Sequence, residues 1–226
     1  MTVPPVTLKA APDEGVWRLG WAEDAISYNQ VEPETFDGSA AGRFSLFSYG
    51  TLYCASYPAG CYAEALAPYR LAPKVRELME GSDPGPGQMA LEDIASSWRD
   101  NRILVRLIPV HQAQFLDVET EETRAVLARD LRGELREFGV EGPLTDQHMH
   151  AKDRRITRQI AAWAVAQRNE AGHHLVQGIT YRSSYGGHRC WAILRDTELK
   201  EVERRPIRVE DPALREVADE YGLTVR

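Results

Sequence analysis

A strand followed at once by a short helix is predicted between Thr51 and Ala67, and this unit constrains the fold more than any other part of the chain. Residues Thr51 to Ala55 are rich in β-branched and aromatic side chains, which favour a strand. Pro58 suits the first position of a helix, because the N–H that it lacks has no helical partner there. The helix is expected to end before Pro68, which cannot continue it.

Glu64 is the one charged residue of this predicted helix. Every other residue from Ala59 to Ala67 is small, apolar or aromatic. A carboxylate in such surroundings has to be hydrogen-bonded, neutralised or directed into a cavity. A glutamate at the edge of a helix that reaches water or a nearby arginine explains the pattern equally well, since structural pairs also perturb carboxylates.

Length and composition indicate one large globular domain. The chain has 226 residues, of which 43% are hydrophobic and 27% charged. Its net charge of −7 argues against direct binding to nucleic acid or to an anionic membrane surface. Neither a signal peptide nor an apolar run of membrane-spanning length is visible, so we expect a cytoplasmic protein. The three cysteines, Cys54, Cys61 and Cys190, lack the spacing of a metal site or a disulfide framework.

The pattern along the chain predicts an α+β fold, because short strands and helices follow each other without regular βαβ alternation. Strands are predicted at 16–21, 51–55, 102–110, 115–118, 178–184 and 189–194, and helices at 58–67, 120–138, 151–171 and 211–222. Further predictions are a turn at Asp37-Gly38 in a loop over 23–42, one or two helical turns over 73–80 and a loop over 81–87. We divide the chain into an irregular arm (1–15), a catalytic domain (16–196) and a C-terminal extension with one helix packed on the domain (197–226).

Several familiar motifs of enzyme chemistry are absent from the sequence. It contains neither the glycine-rich signatures of Rossmann and P-loop proteins nor the Gly-x-Ser-x-Gly of α/β-hydrolases. His148 and His150 could bind a metal, but the sequence shows neither an HExxH motif nor a cluster of further ligands near them. Together with His173-His174 they are interpreted as loop and surface residues. The charged run from Asp153 to Arg158 is interpreted as a solvated helix face. We therefore predict no metal site.

The polar residues beside the apolar strands resemble a known family. The segments are, in order, Trp17-Arg18, Arg43-Phe44, Leu52-Tyr53, Ser56-Tyr-Pro58, Ala63-Glu64 and Gly178-Ile-Thr-Tyr-Arg-Ser183. Their order, and the eleven positions from Tyr53 to Glu64, resemble the RES domain, which is named for its Arg, Glu and Ser. The resemblance runs from about Val16 to Leu194. The chain departs from the family around residues 70 to 100 and after Asp196, which leaves open how a partner would dock.

The resemblance implies a single domain with an ADP-ribosyltransferase-like mixed β core and flanking helices, which binds NAD⁺ and breaks its nicotinamide–ribose bond. It implies a catalytic role for Glu64, whose carboxylate would stabilise an oxocarbenium-like ribose. Arg18 is implied as a second catalytic residue. Ser183 is the third, and it would hydrogen-bond the nicotinamide amide or the ribose. An ordinary turn serine is the alternative for Ser183.

Substrate binding is implied for three further residues. Arg43, together with Arg18, would hold the pyrophosphate, since a planar guanidinium held by flanking aromatic side chains suits a bidentate contact. Tyr53 and Tyr181 would contact the nicotinamide or the ribose. A structural ion pair for one of the arginines, and a core position for either tyrosine, are the alternatives.

The family supplies the toxin half of bacterial RES–Xre toxin–antitoxin pairs, so the resemblance implies an Xre-type antitoxin as partner and NAD⁺ as substrate, with no further cofactor. Two other functions stay open at this point. One is ADP-ribosyl transfer to a protein, which would use the same site. The other is a catalytically silent binding module, in which the Arg, Tyr and Glu residues form a structural ion-pair network. The oligomeric state, a homo-oligomer included, is also open.

Overall fold

Eight strands form one mixed sheet in the computed structural model of the protein, which describes residues 5–30, 42–47, 49–79, 90, 92–109 and 113–226. The strands of the chain are β1 (Leu8–Ala10), β2 (Val16–Trp21), β3 (Thr51–Ala55), β4 (Asp93–Ile94), β5 (Arg102–Pro109), β6 (Gln114–Asp117), β7 (Gly178–Arg182), β8 (Arg189–Leu194), β9 (Leu199–Pro206) and β10 (Thr224–Val225). The large sheet has the order β1-β6-β7-β8-β3-β2-β5-β9, and β4 and β10 form a separate pair. Within the large sheet β6 and β7 run parallel, and the other neighbours are antiparallel.

Helices lie between and after the strands. They are α1 (Pro58–Leu66), α2 (Pro73–Met79), α3 (Ser96–Asp100), α4 (Glu121–Asp130), α5 (Arg132–Glu137), α6 (Asp146–His150), α7 (Arg155–Ala166) and α8 (Pro212–Tyr221), with a 3₁₀ turn at Ala67–Tyr69 after α1. The last helix shows how local chemistry sets its ends. The Asp211 side chain accepts a hydrogen bond from the Ala213 N–H, and Gly222 ends the helix with a left-handed φ of 64°.

The large sheet separates two hydrophobic clusters, because successive side chains of a strand point to opposite faces. On β8, Ala192 belongs to the larger cluster, which the helices cover, whereas Trp191 and Ile193 belong to the smaller cluster on the other face. The Trp191 ring meets Phe115 edge to face with centroids 5.1 Å apart. Burying each such side chain stabilises the fold by roughly 1.5–3 kcal/mol.

The predicted α+β class is confirmed, and most predicted elements are present. The strands at 16–21, 51–55 and 189–194 and the helices that begin at Pro58 and Pro212 have the predicted positions. β7 and β8 form the predicted antiparallel hairpin, in which Gly186 and Gly187 adopt positive φ. The strand predicted at 102–110 and the one predicted at 115–118 appear as β5 and β6.

Four predictions are corrected by the structure. The helix predicted over 120–138 breaks at Leu131 into α4 and α5, next to Gly133, whose helix propensity is low. The helix predicted over 151–171 is confined to α7. The arm predicted to be irregular contains β1, which pairs with β6. The C-terminal extension contributes the edge strand β9 and the short β10 besides its helix. The turn at Asp37-Gly38 and the loop at 81–87 lie outside the described residues.

Candidate active site

A break in the ladder between β2 and β3 opens the sheet at the site. The two strands are in register at a single pair, Trp17 and Ala55. Beyond that pair, a side-chain hydrogen bond takes the place of a main-chain hydrogen bond between the strands: Arg18 Nη1 donates to the main-chain oxygen of Tyr53 at 3.1 Å. Its Nη2 lies 3.4 Å from the oxygen of Ser27. The break therefore leaves an opening between two central strands, with a guanidinium inside it.

The predicted catalytic carboxylate and serine are in direct contact. Glu64 lies half-buried on the second turn of α1, and Ser183 follows the end of β7 with 4% of its surface exposed. The Ser183 hydroxyl donates to Glu64 Oε1 at 2.6 Å and accepts from the Tyr185 N–H at 2.9 Å. A hydrogen bond to an ionised acceptor is of the strong kind, so Ser183 holds the carboxylate in one orientation.

Arg43 is held from two sides by the segment that follows β7. Its Nη1 donates to the oxygen of Arg182 at 3.1 Å, and its Nη2 donates to Ser184 Oγ at 2.7 Å. Its guanidinium carbon lies 4.9 Å from the centre of the Tyr181 ring, a cation–π contact. Tyr181 is buried and also meets Phe44 with ring centroids 5.0 Å apart. Tyr181 thus acts as a platform for Arg43.

Tyr53 is fixed through its hydroxyl group. The hydroxyl accepts from the Phe44 N–H and lies 2.9 Å from Ser45 Oγ, which itself donates to Asn29. Burial raises the pKa of Tyr53 to about 12, so the phenol is neutral at physiological pH. A Cβ atom at Gly42 would lie 2.4 Å from the Tyr53 ring, so glycine is required there for the close approach.

These residues surround one cavity of about 410 Å³. Five of the six predicted site residues line it, and Ser183 contacts it through Glu64. The lining residues used below are Arg18, Arg43, Tyr53, Glu64, Arg154 and Tyr181. The described lining carries three guanidiniums and one carboxylate, a formal charge of +2 in a protein whose net charge is −7. The cavity is therefore suited to an anionic ligand.

Arg154 is the residue that the sequence did not reveal. The charged run from 153 to 158 is interpreted above as a solvated face, and this is correct for Arg155, which is exposed and pairs with Asp153. It is wrong for Arg154, which lines the cavity, and for Arg158, which is buried. A run of charges with helical spacing carries no local signal of which member faces a cavity, because the cavity is formed by segments that lie far apart in the sequence, among them those of Arg18, Tyr53 and Tyr181.

Trp17, the aromatic neighbour of Arg18 in the sequence, does not hold its guanidinium, contrary to the expectation from the sequence. Trp17 lies on the other face of β2, as the period of two in a strand requires. Its ring packs against the guanidinium groups of Arg106 and Arg205, at 5.5 and 5.3 Å. Main-chain oxygen atoms, and not aromatic rings, therefore orient the guanidinium of Arg18.

The histidines of the middle segment have structural partners. His148 completes the cap of α6 through Thr145. His150 Nδ1 lies 3.0 Å from Ser184 Oγ, and its Nε2 lies 3.5 Å from Asp146. Together with Glu119, His150 and Asp146 place potential metal-ligand atoms within 4.8 Å of one another, which the sequence did not indicate. Glu119 also accepts a hydrogen bond from the main-chain N–H of Arg182.

The fold and the cavity define an α+β protein with a fixed carboxylate in an arginine-lined site between two central strands. Residues 15–215 match the family described as the RES domain, so the chain belongs to the RES domain family. No curated protein matches the chain. The crystal structure of the M. tuberculosis MbcT–MbcA toxin–antitoxin complex is similar with a TM-score of 0.46 and 14% identity, covering 94% of this chain and 89% of that one. None of the helices in the described part of the chain is long and apolar enough to cross a membrane.

Proposed function

We propose that this protein is the toxin of a toxin–antitoxin pair and that it cleaves the nicotinamide–ribose bond of NAD⁺. Membership of the RES domain family supports the toxin role. The observation that carries the reaction is the contact between Glu64 and Ser183 at a cavity whose charge is formally +2. NAD⁺ offers both features that such a site recognises, an anionic diphosphate and a ribose that becomes positively charged as nicotinamide leaves.

Glu64 would act on the ribose. As the bond to nicotinamide lengthens, positive charge develops on the ribose, and a nearby carboxylate stabilises that charge. Ser183 binds Glu64 Oε1, and among the described residues Oε2 has no hydrogen-bond donor, so this oxygen is available to the substrate. A carboxylate that is already oriented needs no rearrangement during the reaction, which is the condition for effective electrostatic stabilisation.

The two family arginines would also bind the substrate. Arg18 and Arg43 each donate two hydrogen bonds to protein oxygen atoms, which fix the plane of each guanidinium. Each group has five N–H donors, of which the Nε–H is buried in both arginines, so two Nη hydrogen atoms of each remain for a ligand. In the part of the chain that the structure describes, neither arginine is within ion-pair distance of Glu64 or another carboxylate. This disfavours the silent module, which requires a structural ion-pair network.

The two remaining catalytic outcomes, hydrolysis and transfer, share this site and are separated by the product. Purified protein free of antitoxin is incubated with NAD⁺ labelled in its adenine part. Free ADP-ribose and nicotinamide support hydrolysis, whereas label attached to a protein supports ADP-ribosyl transfer. Intact NAD⁺ with the wild-type protein, under conditions in which the protein is folded, would refute the proposed reaction.

The toxin role has its own test, because depletion of NAD⁺ harms the cell that makes the enzyme. Expression of the wild-type protein is expected to stop growth and lower cellular NAD⁺, and co-expression of an Xre-type antitoxin is expected to restore both. The Glu64→Gln variant serves as the matched control and is expected to be harmless at equal protein level. Growth arrest that persists with this variant would argue for toxicity of another origin.

A further inference from the structure

Arg154 stands out in the cavity because its guanidinium makes a single hydrogen bond to the described protein, whereas Arg18 and Arg43 each make two. The residue precedes the first turn of α7 and is half-buried. Its Nη1 donates to the main-chain oxygen of Ala151 at 3.1 Å, and within the described ranges no other protein acceptor is in reach of its guanidinium. Most of its hydrogen-bonding capacity is therefore directed to the cavity that it lines.

Arg43 is a second cation next to Arg154. Burial lowers the pKa of Arg154, and the neighbouring Arg43 guanidinium lowers it further. Arg43 is 8% exposed, and its Nε is buried with no hydrogen-bond partner among the described residues. Two like charges in a site of reduced dielectric repel each other, and a bound anion removes that repulsion.

A buried threonine fixes the two arginines relative to each other. The Thr157 hydroxyl lies 2.5 Å from the main-chain oxygen of Arg43 and 3.1 Å from that of Arg154. Thr157 is fully buried in the first turn of α7, so it joins this helix to the segment that carries Arg43. Because both backbones are held at one point, the two side chains present a preformed pair of charges rather than a flexible one.

From this arrangement we infer that Arg154 and Arg43 together bind the diphosphate of the substrate, and that Arg154 makes the enzyme selective for dinucleotides over mononucleotides. The inference rests on the proposed function for its substrate class. A diphosphate carries its two negative charges on two linked phosphate groups, so each guanidinium can bind a phosphate of its own, whereas the single phosphate of a mononucleotide, although similar in charge, has to be shared between them. Arg18 and Glu64 then remain for the nicotinamide ribose.

Binding of ADP-ribose tests the subsite without any turnover. Isothermal titration calorimetry is carried out on the wild-type protein, on Arg154→Gln and on Arg155→Gln. Arg155 is the matched control, because it is the next residue in the chain but is exposed and pairs with Asp153. Arg154→Gln is expected to weaken ADP-ribose binding about 10- to 100-fold, the usual effect of losing a charge-assisted contact, and Arg155→Gln is expected to bind as the wild type does.

Turnover supplies a second measurement. The ratio of kcat/KM for NAD⁺ to that for nicotinamide mononucleotide is expected to be well above one in the wild type and to fall about tenfold in Arg154→Gln, through KM rather than kcat. The thermal midpoint of the Arg154→Gln variant is expected to be unchanged or higher than that of the wild type, because the repulsion between Arg154 and Arg43 is gone. A lower midpoint together with an unchanged ratio would assign Arg154 a structural role instead.

The inference and the proposed function fail in different ways. If the wild type binds ADP-ribose in an Arg154-dependent manner but leaves NAD⁺ intact, the proposed reaction is wrong and the subsite stands. If ADP-ribose binds equally to the wild type and to Arg154→Gln, or to neither, the subsite is wrong even where NAD⁺ is cleaved.

Discussion

Glu64 is the residue on which the proposed chemistry depends most directly. Glu64→Gln keeps the volume and the acceptor for the Ser183 hydroxyl but removes the charge. Because the carboxylate acts on charge that develops only in the transition state, kcat is expected to fall by roughly 10²–10³ with little change in KM for NAD⁺. The free energy of unfolding should hold or rise slightly, since a half-buried charge is removed. Steady-state kinetics and a thermal melt on the same preparation measure both.

Glu137→Gln is the control for this change, because Glu137 is exposed on α5 and does not line the cavity. It is expected to keep full activity. An unstable Glu64→Gln variant whose folded fraction still cleaves NAD⁺ would show that Glu64 is structural, and the catalytic assignment would then be withdrawn.

The two family arginines should respond to a change that keeps their charge. Arg18→Lys and Arg43→Lys replace a planar group held by two protein oxygen atoms with a flexible ammonium. Losing one charge-assisted contact costs about 1.5–3 kcal/mol, so kcat/KM is expected to fall about ten- to hundredfold in each variant. Arg136→Lys on the exposed face of α5 is the control. Wild-type kinetics in either site variant would assign that arginine to the fold alone.

Single residues were predictable where a motif fixes their place relative to a strand or helix. Glu64 stands out among small and apolar neighbours, and Arg18 and Tyr53 lie on short strands that the sequence indicates. The contacts that make the site were not predictable in this way. Ser45 and Asn29 hold the Tyr53 hydroxyl, and Arg154 enters the cavity from a helix distant in sequence, so only the folded chain brings them together.

The last helix, α8, supports α1, which carries Glu64. The Tyr221 hydroxyl lies 3.3 Å from the main-chain oxygen of Ala63. At the start of α8, buried Asp211 accepts hydrogen bonds from the Tyr62 hydroxyl at 3.1 Å and from Arg205 at 2.6 Å, and it also caps the helix. These contacts tie the C-terminal helix to the element that bears the catalytic carboxylate.

Asp211→Ala removes the cap and both other partners of this carboxylate. The free energy of unfolding is expected to fall by about 2–3 kcal/mol, since a helix cap and a charge-assisted hydrogen bond are lost together. Chemical denaturation measures the loss. Glu201→Gln is the control, because Glu201 pairs with Arg204 on the surface, where an ion pair contributes little. Equal stability of the two variants would mean that α8 is held by its apolar face alone.

Helices and strands were predictable from the sequence where several local signals indicate the same boundary. Pro58 and Pro212 mark the starts of α1 and α8, and the Gly186-Gly187 turn joins β7 to β8. The edge strand β9 was missed because its sequence, Leu-Lys-Glu-Val-Glu-Arg-Arg-Pro, is too polar to resemble a core strand. It forms because β5 offers a free edge to pair with, which is a property of the sheet and not of the segment.

Chelation is the first test that concerns the protein as a whole. The cavity lining contains one carboxylate and no histidine among the described residues, so the proposed reaction relies on side-chain charges. NAD⁺ cleavage is therefore expected to be the same before and after dialysis against EDTA. Chelation could affect activity through Glu119, Asp146 and His150, because a metal bound by these residues would lie beside Ser184, which accepts a hydrogen bond from Arg43. Activity lost on chelation and restored by zinc or magnesium would overturn the metal-free mechanism.

The final prediction concerns how an antitoxin would silence the enzyme. The cavity opens at the surface of the protein, and the formal charge of its described lining is +2 against a net charge of −7 for the chain. A neutralising partner is therefore expected to cover the opening between Arg18, Arg43 and Glu64 with an acidic or carboxylate-bearing segment, since opposite charge favours that docking. NAD⁺ turnover and ADP-ribose binding should both disappear in the complex.

Competition separates this mode of inhibition from a remote one. If the antitoxin occupies the cavity, saturating ADP-ribose should weaken its binding, and by reciprocity the antitoxin should weaken ADP-ribose binding by the same factor. Arg43→Lys keeps the positive charge, whereas Arg154→Gln removes one, so Arg154→Gln is the better variant here and should loosen the complex most at low salt. A complex that forms with undiminished NAD⁺ turnover would show that the antitoxin docks away from the cavity.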